Sequence, residues 1–73
     1  MQLQAGRRIA ILVNGERTET DAASLGELLA QLGFDPNQVA TALNGDFVPR
    51  QARAETGLAA DDKVEIVAPR QGG

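Results

Sequence analysis

The sequence predicts an α+β domain in which a mixed sheet of about four to five strands packs on one main helix. Three observations predict it: two short β-like runs each closed by an Asn-Gly pair, one well-capped leucine-striped helix, and a β-branched run close to the C-terminus.

The first strand is Ile9 to Val13, where Ile9, Ile11 and Val13 alternate with Ala10 and Leu12 at a period of two. Neither set is polar, so both faces are expected to be covered and the strand to lie inside the sheet. Asn14 and Gly15 follow, both tolerant of the positive φ that a type I′ hairpin turn requires. Glu16 to Thr20 returns as a polar strand suited to an edge, because charged side chains there discourage pairing with other chains.

Ser24 and Glu27 form a capping box, the serine oxygen taking the Glu27 amide and the glutamate reaching back to the serine amide. Leu25, Leu28, Leu29 and Leu32 fall at i, i+3, i+4 and i+7, one stripe facing a core. Gly33 ends the helix as a left-handed residue, with Phe34 able to fold back on the last turn. Asp35, Pro36 and Asn37 make a turn. Residues 39–43 read as a third strand closed by Asn44 and Gly45, and Phe47 and Val48 as a short fourth that Pro49 ends. Residues 51–57 are mixed, with one helical turn the best reading. Asp61 and Asp62 make a turn, and residues 63–68 form the last strand, with Val64 and Ile66 on one face and Glu65 and Val67 on the other. Pro69 lacks an amide hydrogen and stops the ladder.

If the last strand is to pair with the first, the helix must cross one face of the sheet, and the two strands must run parallel. That arrangement is a β-grasp. It divides the chain into a loose lead-in at 1–8, a folded domain at 9–69, and a flexible tail at 70–73. With 73 residues the chain holds one domain at most.

Composition removes several function classes. Ten acidic against seven basic residues, a net charge of −3, argue against nucleic acid and anionic membrane surfaces as partners, since such affinity comes from Lys and Arg. No run approaches the ~20 apolar residues of a membrane span. Arg7 and Arg8 resemble the basic end of a secretion signal, yet the apolar run behind them stops at Asn14, so the expected location is cytoplasmic. The chain has no His and no Cys, which removes the usual proton shuttles, thiol nucleophiles and zinc ligands, and no metal site is expected. Asp61 and Asp62 are the only adjacent carboxylates, and they read as a turn rather than a catalytic pair. Ser24 and Thr41 likewise have structural explanations.

What remains is Arg70-Gln71-Gly72-Gly73. Four residues past Pro69 can extend roughly 13 Å at ~3.3 Å each, and two without side chains can enter a narrow channel to present a carboxylate.

Val13-Asn14-Gly15-Glu16, Ser24-Leu25-x-Glu27-Leu28-Leu29, Ala42-Leu43-Asn44-Gly45-x-x-Val48-Pro49-Arg50 and Asp62-Lys63-Val64-Glu65-Ile66-Val67, ahead of Gly72-Gly73, together resemble the ThiS family of thiamin-biosynthesis sulfur carriers. The resemblance spans residues 9–73. It implies a ubiquitin-like β-grasp fold and a carrier rather than an enzyme. In that scheme the Gly73 carboxylate is adenylated by an activating enzyme that consumes ATP and Mg, is converted to a thiocarboxylate, and gives its sulfur to thiazole synthase. No cofactor stays bound to the carrier. Gly72 forms the approach to Gly73, and Val67, Pro69, Arg70 and Gln71 are the expected partner-binding residues. The chain departs from the family in carrying Arg53 where an aromatic is common and Asp61 where a turn glycine is common. The small subunit of molybdopterin synthase shares the fold and terminus, but tends to carry a hydrophobic-proline-proline run where this chain has Pro69 alone. A ubiquitin-like protein modifier linked through Gly73 and a plain binding module using its sheet face are further alternatives, and Lys63 as the only lysine limits chain building by the former.

Overall fold

Two Asn-Gly turns set the sheet. In the computed structural model, which describes residues 8–69, Asn14 and Asn44 both have φ 52°, followed by Gly15 at 86° and Gly45 at 88°. Those angles match type I′ turns, whose twist suits two-residue hairpins. The first turn joins β1 (Ile9–Val13) to β2 (Glu16–Thr20), and the second joins β3 (Ala40–Leu43) to β4 (Asp46–Val48). Each hairpin is in register from the turn outward, Val13 opposite Glu16 and Leu43 opposite Asp46. The last strand, β5 (Lys63–Val67), enters between them. It pairs parallel with β1 and antiparallel with β3, giving the order β2-β1-β5-β3-β4. The expected parallel contact of first and last strands is present as Leu12 opposite Lys63 and Val13 opposite Val64. Five strands on one helix make the fold a β-grasp.

The helix α1 (Leu25–Leu32) starts and stops for local reasons. Ser24 Oγ accepts the Glu27 N–H at 3.2 Å, as expected. The reciprocal bond differs: Glu27 Oε1 accepts from the Ala23 amide at 2.9 Å, not from Ser24. Ser24 is extended and forms an isolated bridge with Gly57, in which the Leu25 amide donates to Thr56 and the Ala23 carbonyl accepts from Leu58. This bridge orients the chain so that the preceding amide is the one Glu27 caps. At the other end Gly33, at φ 84°, donates to the Ala30 carbonyl and Phe34 donates to that of Leu29. That pair of bonds is a Schellman motif.

The inner sheet face supplies Ile11, Val48, Val64 and Ile66, and the helix supplies Leu25, Leu28 and Leu29, which with Ala22 form the buried core. Leu32 corrects the predicted stripe: it is 40% exposed. It sits at the last residue of an eight-residue helix, beside Val13, Asn14 and Phe34, where β1 has already turned away. Phe34 folds back against the core in its place.

Residues 51–57, expected as one helical turn, contain most of a 3-10 helix over Arg50–Glu55 that packs on α1. It carries the least expected feature of the core. Arg53 is only 4% exposed. Its Nε donates to Thr41 Oγ1 at 3.0 Å, one terminal nitrogen to the Pro36 carbonyl at 2.9 Å and the other to the Val39 carbonyl at 2.7 Å. Thr41 in turn donates its hydroxyl to the Val48 carbonyl at 2.9 Å. One guanidinium thus ties together the 3-10 helix, the loop before β3, and β3 itself.

Residues 1–7 of the lead-in and the whole tail, 70–73, lie outside the described residues.

Candidate functional site

Position along β5 decides what the chain can present. This strand is the middle of the five, paired with β1 at Lys63 and Val64 and with β3 from Val64 to Val67, where the chain leaves the sheet. Alternation along Lys63–Val67 buries Val64 and Ile66 and turns Lys63, Glu65 and Val67 outward. Val67 is 63% exposed, the last residue of the strand, and two residues ahead of Pro69. The sequence places Val67 on this outward face, and the structure puts it there. Pro69 is exposed at the end of the described chain, and Arg70, Gln71, Gly72 and Gly73 lie outside the described residues.

The sheet face around this exit is apolar. Val67 lies opposite Ala40, which is exposed, while Ala42 lies between Glu65 on β5 and Phe47 on β4. Phe47 is 69% exposed. Sequence reasoning placed Phe47 on a strand without giving it a role. Its signal was the second Asn-Gly turn: a two-residue hairpin sets Leu43 opposite Asp46, hence Ala42 opposite Phe47, on the face away from Val48. Val67, Ala40, Ala42 and Phe47 therefore form a patch on the open face, bordered by Glu65. The patch contrasts with β2, whose strand Glu16–Thr20 is polar throughout.

The other candidates resolve into structural roles. Asp61 has φ 71° and donates its amide to the Ala10 carbonyl at 2.8 Å, so it occupies a left-handed turn position. Asp62 accepts from the Ala59 amide at 2.8 Å and from Asn44 Nδ2 at 3.0 Å, closing the turn into β5. Ser24 is a helix cap, and Thr41 serves Arg53 and Val48. Among the described residues, no group of three or more His, Cys, Asp or Glu is placed to hold a metal ion. No helix among them is long and apolar enough to cross a membrane.

Comparison with known proteins converges on one family. The model of the ThiS family matches residues 11–73. A crystal structure of a thiamine biosynthesis protein, ThiS, from Geobacter metallireducens superposes with a TM-score of 0.75 at 30% identity, covering 89% of this chain and 100% of that one. A curated relative named thiazole synthase, from Paramagnetospirillum magneticum, is 38% identical over 64 residues, 86% of this chain. The chain spans 20% of the length of that relative.

Proposed function

The chain belongs to the ThiS family, the sulfur carriers of thiamin biosynthesis, and on that footing we propose that the carboxylate of Gly73 is its working group. The observation that carries this reading is that the family match runs through Gly73 itself, six residues beyond Val67, the end of a strand at the centre of the sheet.

A carboxylate oxygen of Gly73 attacks the α-phosphorus of ATP held with Mg by an activating enzyme, and pyrophosphate leaves. The resulting acyl-adenylate is an activated carbonyl, from which sulfide, as HS⁻, displaces AMP and loses its proton to leave a thiocarboxylate. The carrier is a co-substrate, not the catalyst; with no His and no Cys it offers no side chain suited to proton shuttling or thiol chemistry. Its own contribution is presentation. Gly72 and Gly73 have no side chains to obstruct a narrow channel, and residues 70–73 can reach roughly 13 Å beyond Pro69. Val67, Phe47 and the two alanines between them give the activating enzyme an apolar surface, with Pro69, Arg70 and Gln71 leading from it to the reacting end.

Thiazole synthase is the sulfur acceptor in this reading. Support comes from the Paramagnetospirillum magneticum protein of that name, one-fifth of which matches this chain.

Pyrophosphate release tests the proposal. Mixing the chain with a ThiS-activating enzyme and Mg-ATP should release pyrophosphate, and deleting Gly73 should abolish the release with the melting temperature unchanged. Gly72→Val should slow it by obstructing the extended approach, again with the fold intact. Full activity of the Gly73 deletion would remove the basis of the reading.

A further inference from the structure

The parallel pairing of β1 with β5 is only two residue pairs long, Leu12 with Lys63 and Val13 with Val64. Past Val64 the chain of β1 has turned into its hairpin, and among the described residues the β1 side of β5 has no strand beside it. Asn14 fills that place with its side chain. Its backbone amide donates to the Val64 carbonyl at 2.8 Å. Its Oδ1 accepts the Ile66 N–H at 2.8 Å, and its Nδ2 donates to the Ile66 carbonyl at 3.1 Å. A carboxamide thus replaces the peptide group that a longer β1 would have supplied, 52 residues away in sequence. On the other side Ile66 lies opposite Thr41, and Val67 opposite Ala40.

Two requirements meet at this position. The backbone is left-handed at φ 52°, a conformation that Asn tolerates and most residues do not. The side chain must also offer one donor and one acceptor side by side, which a carboxamide does and a carboxylate, having acceptors only, does not. The hairpin alone would accept Asp or Gly here. Bonding to both polar groups of Ile66 is an additional constraint, and it falls three residues before Pro69.

We infer that Asn14 is a positioning residue for the C-terminal tail: by clamping Ile66 it fixes the end of β5, from which the chain leaves the sheet on its way to Gly73. This inference rests on the tail being the reacting element. Asn44 provides the internal comparison. It has the same backbone conformation in the other hairpin, and its side chain binds β5 too, but at the strand's start: Oδ1 accepts the Lys63 amide at 2.9 Å and Nδ2 donates to Asp62. The two asparagines hold opposite ends of one strand, and only Asn14 holds the end that leads to Gly73.

The test compares Asn14→Gly with Asn44→Gly, since glycine keeps both turns and removes only the side chains. Melting temperatures, amide hydrogen exchange and steady-state pyrophosphate release with the activating enzyme are measured on the full chain. In Asn14→Gly, exchange at Ile66 should speed up about tenfold as its amide loses its acceptor. The kcat should fall about tenfold, with KM for the carrier within about twofold, because the apolar docking patch is untouched while the tail is aimed less well. Asn44→Gly should lose comparable thermal stability yet keep both kinetic constants within about twofold. Equal kinetic losses in the two variants, or unchanged Ile66 exchange in Asn14→Gly, would overturn the positioning role while leaving the carrier reading in place. Absence of pyrophosphate release from the wild-type chain would overturn the carrier reading and the positioning role with it.

Discussion

Replacing Arg53 by Met asks what a buried guanidinium contributes to so small a domain. Arg53 sends three donors to Thr41, Pro36 and Val39, and hydrogen bonds from charged donors contribute about 1.5–3 kcal/mol each. The gross loss is therefore about 4.5–9 kcal/mol. Two effects reduce it. Removing a buried cation recovers a desolvation penalty of several kcal/mol. Pro36 is exposed and Val39 half-buried, so water can reach those carbonyls, whereas the buried Thr41 hydroxyl loses its donor without replacement. The net expectation is a loss of about 2 kcal/mol, against a total of about 4–11 kcal/mol for 73 residues. For a domain of this size that lowers the melting temperature by about 8–16 °C. Urea unfolding should show a lower midpoint at unchanged slope. Arg53→Lys should fall between the two, because an ammonium cannot reproduce the planar fork that reaches three acceptors at once. An Arg53→Met chain as stable as the wild type would refute the reasoning, and would mean that desolvation cancels the whole network.

Substitutions at two further positions separate site from scaffold. Val67→Asp should lower kcat/KM for adenylation by about tenfold while shifting the melting temperature by no more than a few degrees, since an exposed side chain contributes little to folding; equal damage to both would mark Val67 as core. Asp61→Val should destabilise by about 1–2 kcal/mol in urea titrations, a β-branched residue being strained at φ 71°, whereas Asp61→Gly should cost nothing. Identical behaviour of those two variants would count against the left-handed turn.

What was legible in the sequence is what neighbouring residues decide. The Asn-Gly pairs, the Ser24 cap, the left-handed Gly33 and the alternation through Val64 and Ile66 each act within a few residues, and each stands where it was expected. The parallel contact of β1 and β5 followed from connectivity alone. What escaped depends on partners distant in sequence. Arg53 sits in a stretch of mixed polarity, and its burial makes sense only once the Pro36 and Val39 carbonyls, 17 and 14 residues away, converge on it. Asn14 satisfied a turn rule so fully that nothing pointed to its second task on Ile66. Leu32 has the right helical phase for the core but lies where β1 has already turned away, which periodicity cannot register. Phe47 could have been placed on the open face by counting outward from Gly45, since the hairpin register is fixed by its turn. The patch it shares with Val67 depends on β5 lying between the two hairpins, which is a property of the assembled sheet.

The central claim is that sulfur is carried on the last residue. Intact-mass spectrometry of the chain, after incubation with a ThiS-activating enzyme, Mg-ATP and a sulfur source, tests it most directly. The account predicts a mass increase corresponding to one oxygen replaced by sulfur, located by fragmentation to Gly73. An unmodified Gly73 under conditions in which the enzyme activates its own cognate carrier, or sulfur located at any other residue, would contradict it.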